Sequence, residues 1–415
     1  MRKVTAIFAG FGVLTALAIV VARLAAQSDG KGLYDIERGI HLGEEIYAMY
    51  ADDQGLWGAW IARRPSKGAP LVREAVFLNT EGRVTYRHAL EWSAPVFNTQ
   101  EYPSQRLFVQ KGPDTPQKHT ILVLGPRGVL GEIETKPYAR FAVSNDSGVA
   151  AAFTGMPIVT MSLLLREPAG VAWYDLPLHE TVGKYESADF SPRAGALSHG
   201  GKMLALVGHP RLEGGDYNQQ FTRLYVLTPE GPLWDQPVGH GWPYRVLWSP
   251  DDSRILTGAS SDRPVIYSRD GRQIRRMEGF WEALALAISH PKGTYLAAGR
   301  GRTVMLCKTD SGATVWTSMV PPKTIQDIYP NGIDVTDHGD VAVVTVKEPS
   351  RPWRADPKGM FLVSILGSGG RVLWQCSLPG AGFNDGLGIP VIRWTRDDQG
   401  LLVKARNTIY VIRRR

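Results

Sequence analysis

An apolar strand, a polar Ser/Asp/Gly turn and a second apolar strand recur about eight times along this chain. The clearest copy is Val246-Leu247-Trp248-Ser249-Pro250-Asp251-Asp252-Ser253-Arg254-Ile255-Leu256-Thr257-Gly258. Alternating apolar residues bury one face of each strand, and the Asp/Asn/Gly turn tolerates the positive φ of a tight hairpin. One such unit cannot bury its apolar face alone, so stacked copies build a radial or solenoid β architecture. Further copies begin at Phe141, Ala196, Ala287, Ile333 and Ile392, with weaker ones near Tyr47 and Pro95. Successive starts lie about 40 to 60 residues apart, which suits a four-stranded blade with variable loops.

Each blade also carries a second hairpin. Arg223-Leu224-Tyr225-Val226-Leu227 leads to Glu230-Gly231, Thr303-Val304-Met305-Leu306-Cys307 to Asp310-Ser311-Gly312, and Phe361-Leu362-Val363-Ser364-Ile365 to Gly369-Gly370. A tryptophan comes soon after each of these turns, at Trp234, Trp316 and Trp374. Large rings at that point are expected to pack between blades. The expected fold is all-β: a single β-propeller of about eight, alternatively seven, four-stranded blades, preceded by an N-terminal hydrophobic helix.

The Ser249-Pro250-Asp251-Asp252-Ser253-Arg254-Ile255-Leu256 phrase is similar to the repeat of TolB-like and WD40-like propellers. The Asp310-Ser311-Gly312-Ala313-Thr314-Val315-Trp316 phrase resembles the Asp-x-x-Gly-x-x-x-Trp repeat of quinoprotein-like propellers, with the glycine one position early. The resemblance covers nearly all of the chain after residue 40 and implies the propeller fold. It implies no particular activity, because propellers host enzymes, binding platforms and scaffolds alike. The adjacent cysteine pair of quinone-dependent dehydrogenases of this architecture is missing.

The first residues follow a different pattern. Arg2-Lys3 precedes an apolar run from Val4 to Ala22, in which only Thr5 and Thr15 are polar, and Arg23 ends it. Its 19 residues exceed the usual secretory apolar region and approach a bilayer span. Residues 1–26 therefore read as a signal anchor or a cleaved signal peptide. In both cases the basic end stays inside and the propeller is exported, to the periplasm or the cell surface, with Val4 to Ala22 as its contact with the inner membrane.

Residues 27–45 read as a linker and a ring-closing strand, and residues 46–415 as the propeller. The last repeat supplies strands near Val391–Thr395, Leu401–Ala405 and Thr408–Arg413 and then lacks a fourth. An open ring would leave sheet edges unpaired, so the segment Gly32–Leu42 is expected to complete it. Arg413-Arg414-Arg415 reads as a solvated tail that protects the edge. Cys307 and Cys376 lie in apolar strands of different repeats, and a disulfide or two buried thiols are both open.

The formal net charge is +7, and loss of Arg2, Lys3 and Arg23 with the first 26 residues would leave +4. This mild excess is compatible with an acidic partner or lipid headgroups. No nucleic-acid partner is expected, since no basic–aromatic reader motif occurs and export removes the chain from nucleic acid. Gly-x-Ser-x-Gly, His-Glu-x-x-His and Cys-x-x-Cys are all absent. No catalytic residue, metal ligand or cofactor is expected. Asp251-Asp252 and Asp397-Asp398 read as turn formers, and Gly367-Ser368-Gly369-Gly370 as a hairpin turn rather than a phosphate cradle.

Irregularity is concentrated in the loops after the second and fourth strands of each blade, which open on one face. Loops on a rigid scaffold carry function, and Arg, Trp and Tyr anchor interfaces. The candidate binding residues are Arg351, Trp353, Arg354, Trp242, Tyr217, His240, Tyr329, Asn384 and Asp385. The expected function is a non-catalytic interaction scaffold or accessory subunit of a membrane or envelope protein complex. The alternative is an extracytoplasmic lyase or hydrolase acting on a glycan or peptide at the channel mouth.

Overall fold

The computed structural model describes residues 33–415 except 43–44, 53–54, 67, 71, 80, 91–106, 116–117, 136–138, 144–148, 155–168, 176–179, 188–189, 211–220, 279, 281–284, 322–324, 348–359, 380–390, 396 and 406. The apolar run from Val4 to Ala22 thus lies outside the described residues, among which no helix is long and apolar enough to cross a membrane.

Every described element is a strand, and the strands form antiparallel sheets in chain order. Seven sheets have four strands and one, built from Leu107–Thr115, Lys118–Gly125 and Gly128–Thr135, has three. Among the described residues the architecture is a β-propeller with seven complete four-stranded blades, the alternative count, and a three-stranded sheet that follows the first blade. Only residues 136–138 separate Gly128–Thr135 from the first strand of the next sheet. So short a link cannot recross the sheet, so Gly128–Thr135 must hold the outermost position. The innermost position of this sheet precedes Leu107, where residues 91–106 and the weak repeat near Pro95 lie outside the described residues.

Counted in chain order, the sheets close into a ring through eight apolar seams, each shared by two neighbours. One seam packs Ala205, Val207, Leu224 and Val226 of the fourth sheet against Val246, Trp248, Ile255 and Tyr267 of the fifth. Another packs Ile46, Ile61 and Val76 of the first sheet against Leu402, Ile409 and Val411 of the last. First-to-third strands in these seams read as nearly unbroken apolar runs because both faces are covered. Outermost strands such as Val84–Leu90 and Gln273–Arg276 alternate because one face meets water.

The recurring tryptophans occupy these seams, as the sequence predicts. Trp234 donates its indole N–H to the Arg269 carbonyl of the next sheet at 3.0 Å. Its ring lies where a Cβ on Gly271 (φ 88°) would approach to 2.8 Å. Trp316 covers Gly370 (φ 75°) in the same way. At these two turns the glycine therefore serves two ends: it supplies a left-handed φ and leaves room for the preceding sheet's ring.

The Ser-x-Asp-Asp phrase also has a physical reading. Ser249 Oγ donates to Asp251 Oδ1 at 2.6 Å within its own turn. Asp252, at φ 55°, points back to the preceding sheet instead. Its carboxylate accepts from the His199 and Gly200 amides at 2.7 and 2.9 Å and meets His199 Nδ1 at 3.0 Å. Asp337 grips Ser289 Oγ and the Lys292 amide in the same way, at 2.6 and 2.7 Å. Burial alone would raise the Asp252 pKa, but the His199 side chain and these amides hold it below the ordinary carboxylate value. Replacing Asp252 by Ala should cost about 2 kcal/mol, measured by chemical denaturation, because charge-assisted bonds are lost and Ala is disfavoured at positive φ. A loss below about 0.5 kcal/mol would show that the turn-to-turn grip is not a stabilising contact.

Ring closure follows the expected route. Tyr34–His41 pairs antiparallel with Thr408–Arg414 as the outermost strand of the last blade, with Tyr34 opposite Arg414 and His41 opposite Thr408. The terminal arginines are exposed to solvent and also form ion pairs at the sheet edge. Arg415 pairs with Asp35, Arg413 lies 3.1 Å from Glu37, and Arg414 lies 3.9 Å from Asp340. Asp35 and Glu37 of the first strand thus meet exposed arginines of the last across the paired edge. Cys307 and Cys376 are separate buried thiols in the sixth and seventh sheets, which resolves the open choice between pairing and burial.

Candidate interaction face

Antiparallel order sorts the connections onto two faces. Links after the first and third strands are short turns, such as Ser249–Ser253, and stand on one face. The second and fourth strands end toward the other face, and the segments 155–168, 211–220, 348–359 and 380–390 follow such strands in the chain. The candidate residues Tyr217, Arg351, Trp353, Arg354, Asn384 and Asp385 fall in these segments and lie outside the described residues. Tyr329 falls not in a loop but in the strand Ile325–Val335, whose register is interrupted between Ile328 and Ile333, and its side chain is outside the description. His240 likewise ends the strand Gly231–His240.

Trp242 and His240 are described, and the structure places both in one cluster. Trp242 follows the fourth strand of the fourth sheet and remains 41% exposed. Its backbone N–H donates to Ser260 Oγ at 2.7 Å, and its carbonyl accepts from the Ser260 amide at 2.8 Å. The Arg193 guanidinium lies 4.4 Å from the Trp242 ring centroid, and His209 meets the ring edge-on at 5.5 Å. Beside them His240 packs edge-on against Phe221, its cross-strand partner, at 5.8 Å. His209 is fully buried, and since a carbonyl can only accept, its Nδ1 donates to Phe221 O at 3.0 Å. Burial lowers its pKa, with Arg193 adding to the effect. The result is a preorganised aromatic anchor with a cation against it and a neutral histidine beside it. Sequence reading singled out Trp242 and His240 as candidates but not Arg193, His209, Phe221 or Ser260, which neighbouring strands of the same sheet and the next turn bring beside them.

The tight-turn face carries carboxylates. Asp398 has the left-handed φ of Asp252 (54°) but finds no amide partner: Oδ1 has no hydrogen bond, and Oδ2 lies 3.7 Å from the exposed His338 Nε2. Burial, reinforced by Asp337, Asp334 and Asp340 against the opposing His338, raises its pKa to about 6. Among the described residues no group of three or more acids, histidines and cysteines is arranged to hold a metal. Burial pushes both Cys307 and Cys376 up to about 11, which keeps them protonated and unreactive at neutral pH. An open cleft of about 600 Å³ at the rim of this face is lined by Leu233, Trp234, Asp252, Arg254 and Arg269. Trp234 and Asp252 are already committed to the seam there, so the cleft is the mouth of a structural joint.

No family model matches the chain. No curated protein matches it in sequence. Its likeness is to solved structures. A chain titled as the eukaryotic initiation factor is 12% identical with a TM-score of 0.50, over 82% of this chain and 80% of that one. BamB from Moraxella catarrhalis is 12% identical with a TM-score of 0.51, over 92% of this chain and 99% of that one. These are among 1244 matching chains, and likeness at 12% identity shows the β-propeller fold while leaving the activity to be argued from the site.

Proposed function

We propose that this propeller is a non-catalytic interaction scaffold, exported and held at the membrane by Val4 to Ala22, whose loop-rich face docks on a protein of a membrane or envelope complex. The observation that carries the reading is Trp242: a large ring, 41% exposed, locked by Ser260 and backed by Arg193. An aromatic anchor that is ordered before binding loses little entropy on docking. We take the segments that hold Tyr217, Arg351, Trp353, Arg354, Asn384 and Asp385 to extend the same docking surface, since each follows a second or fourth strand in the chain.

The test is purification of the full chain from detergent-solubilised membranes, with and without Trp242→Ala. A stoichiometric protein partner is expected with the native chain. The substitution should weaken its capture by roughly tenfold or more while leaving the unfolding temperature within a few degrees. A chain that always runs alone and monomeric, or a partner indifferent to Trp242, would refute the reading. The alternative, an enzyme acting at the channel mouth, draws support from the raised pKa of Asp398 beside His338. Hydrolysis of a glycan or peptide that is abolished in both Asp398→Asn and His338→Ala would favour it.

A further inference from the structure

A lone exposed apolar side chain needs no explanation, but in this fold such side chains share one place. Among the described residues, Trp242 and Met319 are the only large apolar side chains exposed at the loop-rich end of a blade. The others stand at the opposite end, where outermost strands begin beside the tight turns. Val129 and Leu130 are the second and third residues of Gly128–Thr135, and Val182 and Leu233 are each third in Glu180–Ser187 and Gly231–His240. Val315 is second in Thr314–Met319, and Val372 opens Val372–Pro379. Leu33 directly precedes Tyr34–His41, the outermost strand of the last sheet. Six of the eight sheets thus present an exposed apolar group at this rim. In the first and fifth sheets the corresponding Val84 and Ile274 are half-buried.

The repeat explains the arrangement. Each outermost strand starts after a tight turn, so equivalent positions recur at one height around the closed ring. Side chains at one height can all touch a single plane, whereas a globular partner set against one or two blades would cover only some of them. Charge does not select the partner. Exposed Arg127 and Arg371 stand in the turns beside Val129 and Val372, but exposed Glu230 and Asp310 stand in those beside Leu233 and Val315. The surface that fits the rim is therefore planar and apolar rather than a polyanion.

The N-terminal part of the chain joins the fold at the same rim. Leu33, where the described residues begin, accepts the Arg415 amide on its carbonyl at 2.8 Å, beside the pairing of Tyr34 with Arg414. Residues 23–32 connect it to the apolar run from Val4 to Ala22. Ten residues span at most about 35 Å, so a bilayer holding that run lies within that reach of the rim.

We infer that the tight-turn rim rests on the membrane surface, its ring of valines and leucines entering the boundary between headgroups and acyl chains. The loop-rich face with Trp242 then points away from the bilayer, toward a partner. The inference rests on the reading of Val4 to Ala22 as the membrane contact.

The full chain reconstituted into phosphatidylcholine vesicles that carry a spin-labelled headgroup lipid as quencher tests it. Cys307 and Cys376 are buried, so an introduced cysteine can be labelled selectively. A fluorophore is placed at Leu233→Cys, Val315→Cys or Val372→Cys. Met319→Cys is the control, on the strand of Val315 but at its loop-rich end. Quenching at each of the three rim positions should exceed that at the control by roughly twofold or more. It should persist at high salt, which screens attraction between exposed charges and headgroups. Leu233→Glu combined with Val315→Glu should roughly halve the quenching at Val372→Cys. The same pair should leave flotation with the vesicles unchanged and the unfolding temperature within a few degrees, since both side chains are exposed. A chain that floats with the vesicles while its rim labels are quenched no more than the control overturns the rim and leaves the membrane contact of Val4 to Ala22 standing. Quenching at Val372→Cys that is indifferent to the two glutamates also overturns the rim. A chain that does not float with the vesicles overturns both.

Discussion

Replacing Tyr34 by alanine is expected to destabilise the protein by about 3–5 kcal/mol, the cost of emptying an aromatic site in a packed core. Tyr34 is 1% exposed although it lies on the first described strand. Its ring sits 6.5 Å from Trp374 of the seventh sheet and 6.0 Å from Trp394 of the last, so it joins the seam between them. Its hydroxyl donates to Asp340 Oδ2 at 3.4 Å, and burial pushes its pKa up to about 12. Deleting residues 1–42 should be worse than the point change, since it also bares the edge of Thr408–Arg414 and removes Ile36 and Ile40 from their seams. By contrast Asp35→Asn should have a small, salt-screened effect, because its pairing with Arg415 is exposed. Urea unfolding of the three variants provides the measurement. A Tyr34→Ala loss below about 1 kcal/mol would mean that the N-terminal strand is an accessory and not the clasp of the ring.

Asp398→Asn should act in the opposite direction and stabilise the protein at neutral pH, by up to about 3 kcal/mol. The carboxyl titrates near 6 in the folded chain against an ordinary value of 3.8. Its raised pKa means that the folded state holds the proton more tightly. This group's penalty is therefore absent below about pH 4, grows as pH rises through about 6, and is fully present at pH 7. Asparagine is neutral throughout and accepts the left-handed φ of 54°. The difference in unfolding temperature between variant and native chain should be largest at pH 7.5 and vanish near pH 4. A variant that is less stable at pH 7.5 would show that the attraction to His338 outweighs burial and the neighbouring carboxylates.

The contrast between Asp252 and Asp398 shows where sequence reading stops. Both are the second Asp of an Asp-Asp turn, both adopt the same φ, and the repeat makes them equivalent. Asp252 accepts from the amides of His199 and Gly200, while Asp398 lies beside the His338 side chain and in the field of three other acids. The difference lies in the preceding blade's turn, His199-Gly200-Gly201 against Asp337-His338-Gly339, so it is a property of a pair of turns far apart in the chain. The terminal arginines make the same point. Their charge is legible as sequence, but their partners Asp35 and Glu37 stand more than 370 residues away and meet them only because the ring closes.

The repeat by itself determined the architecture. An apolar strand and a tight turn, copied at blade spacing, have few ways to bury their faces other than stacking radially, and an incomplete last copy requires a strand from elsewhere. That argument uses only local periodicity and the cost of an open sheet edge, so it needs no coordinates. The tertiary structure alone decided which side chains meet. Trp242 meets Arg193 and His209 from separate strands of its own blade, and Asp252 meets His199 from the blade before it. These contacts depend on strand register and on how neighbouring blades stack, and neither is encoded in any one repeat.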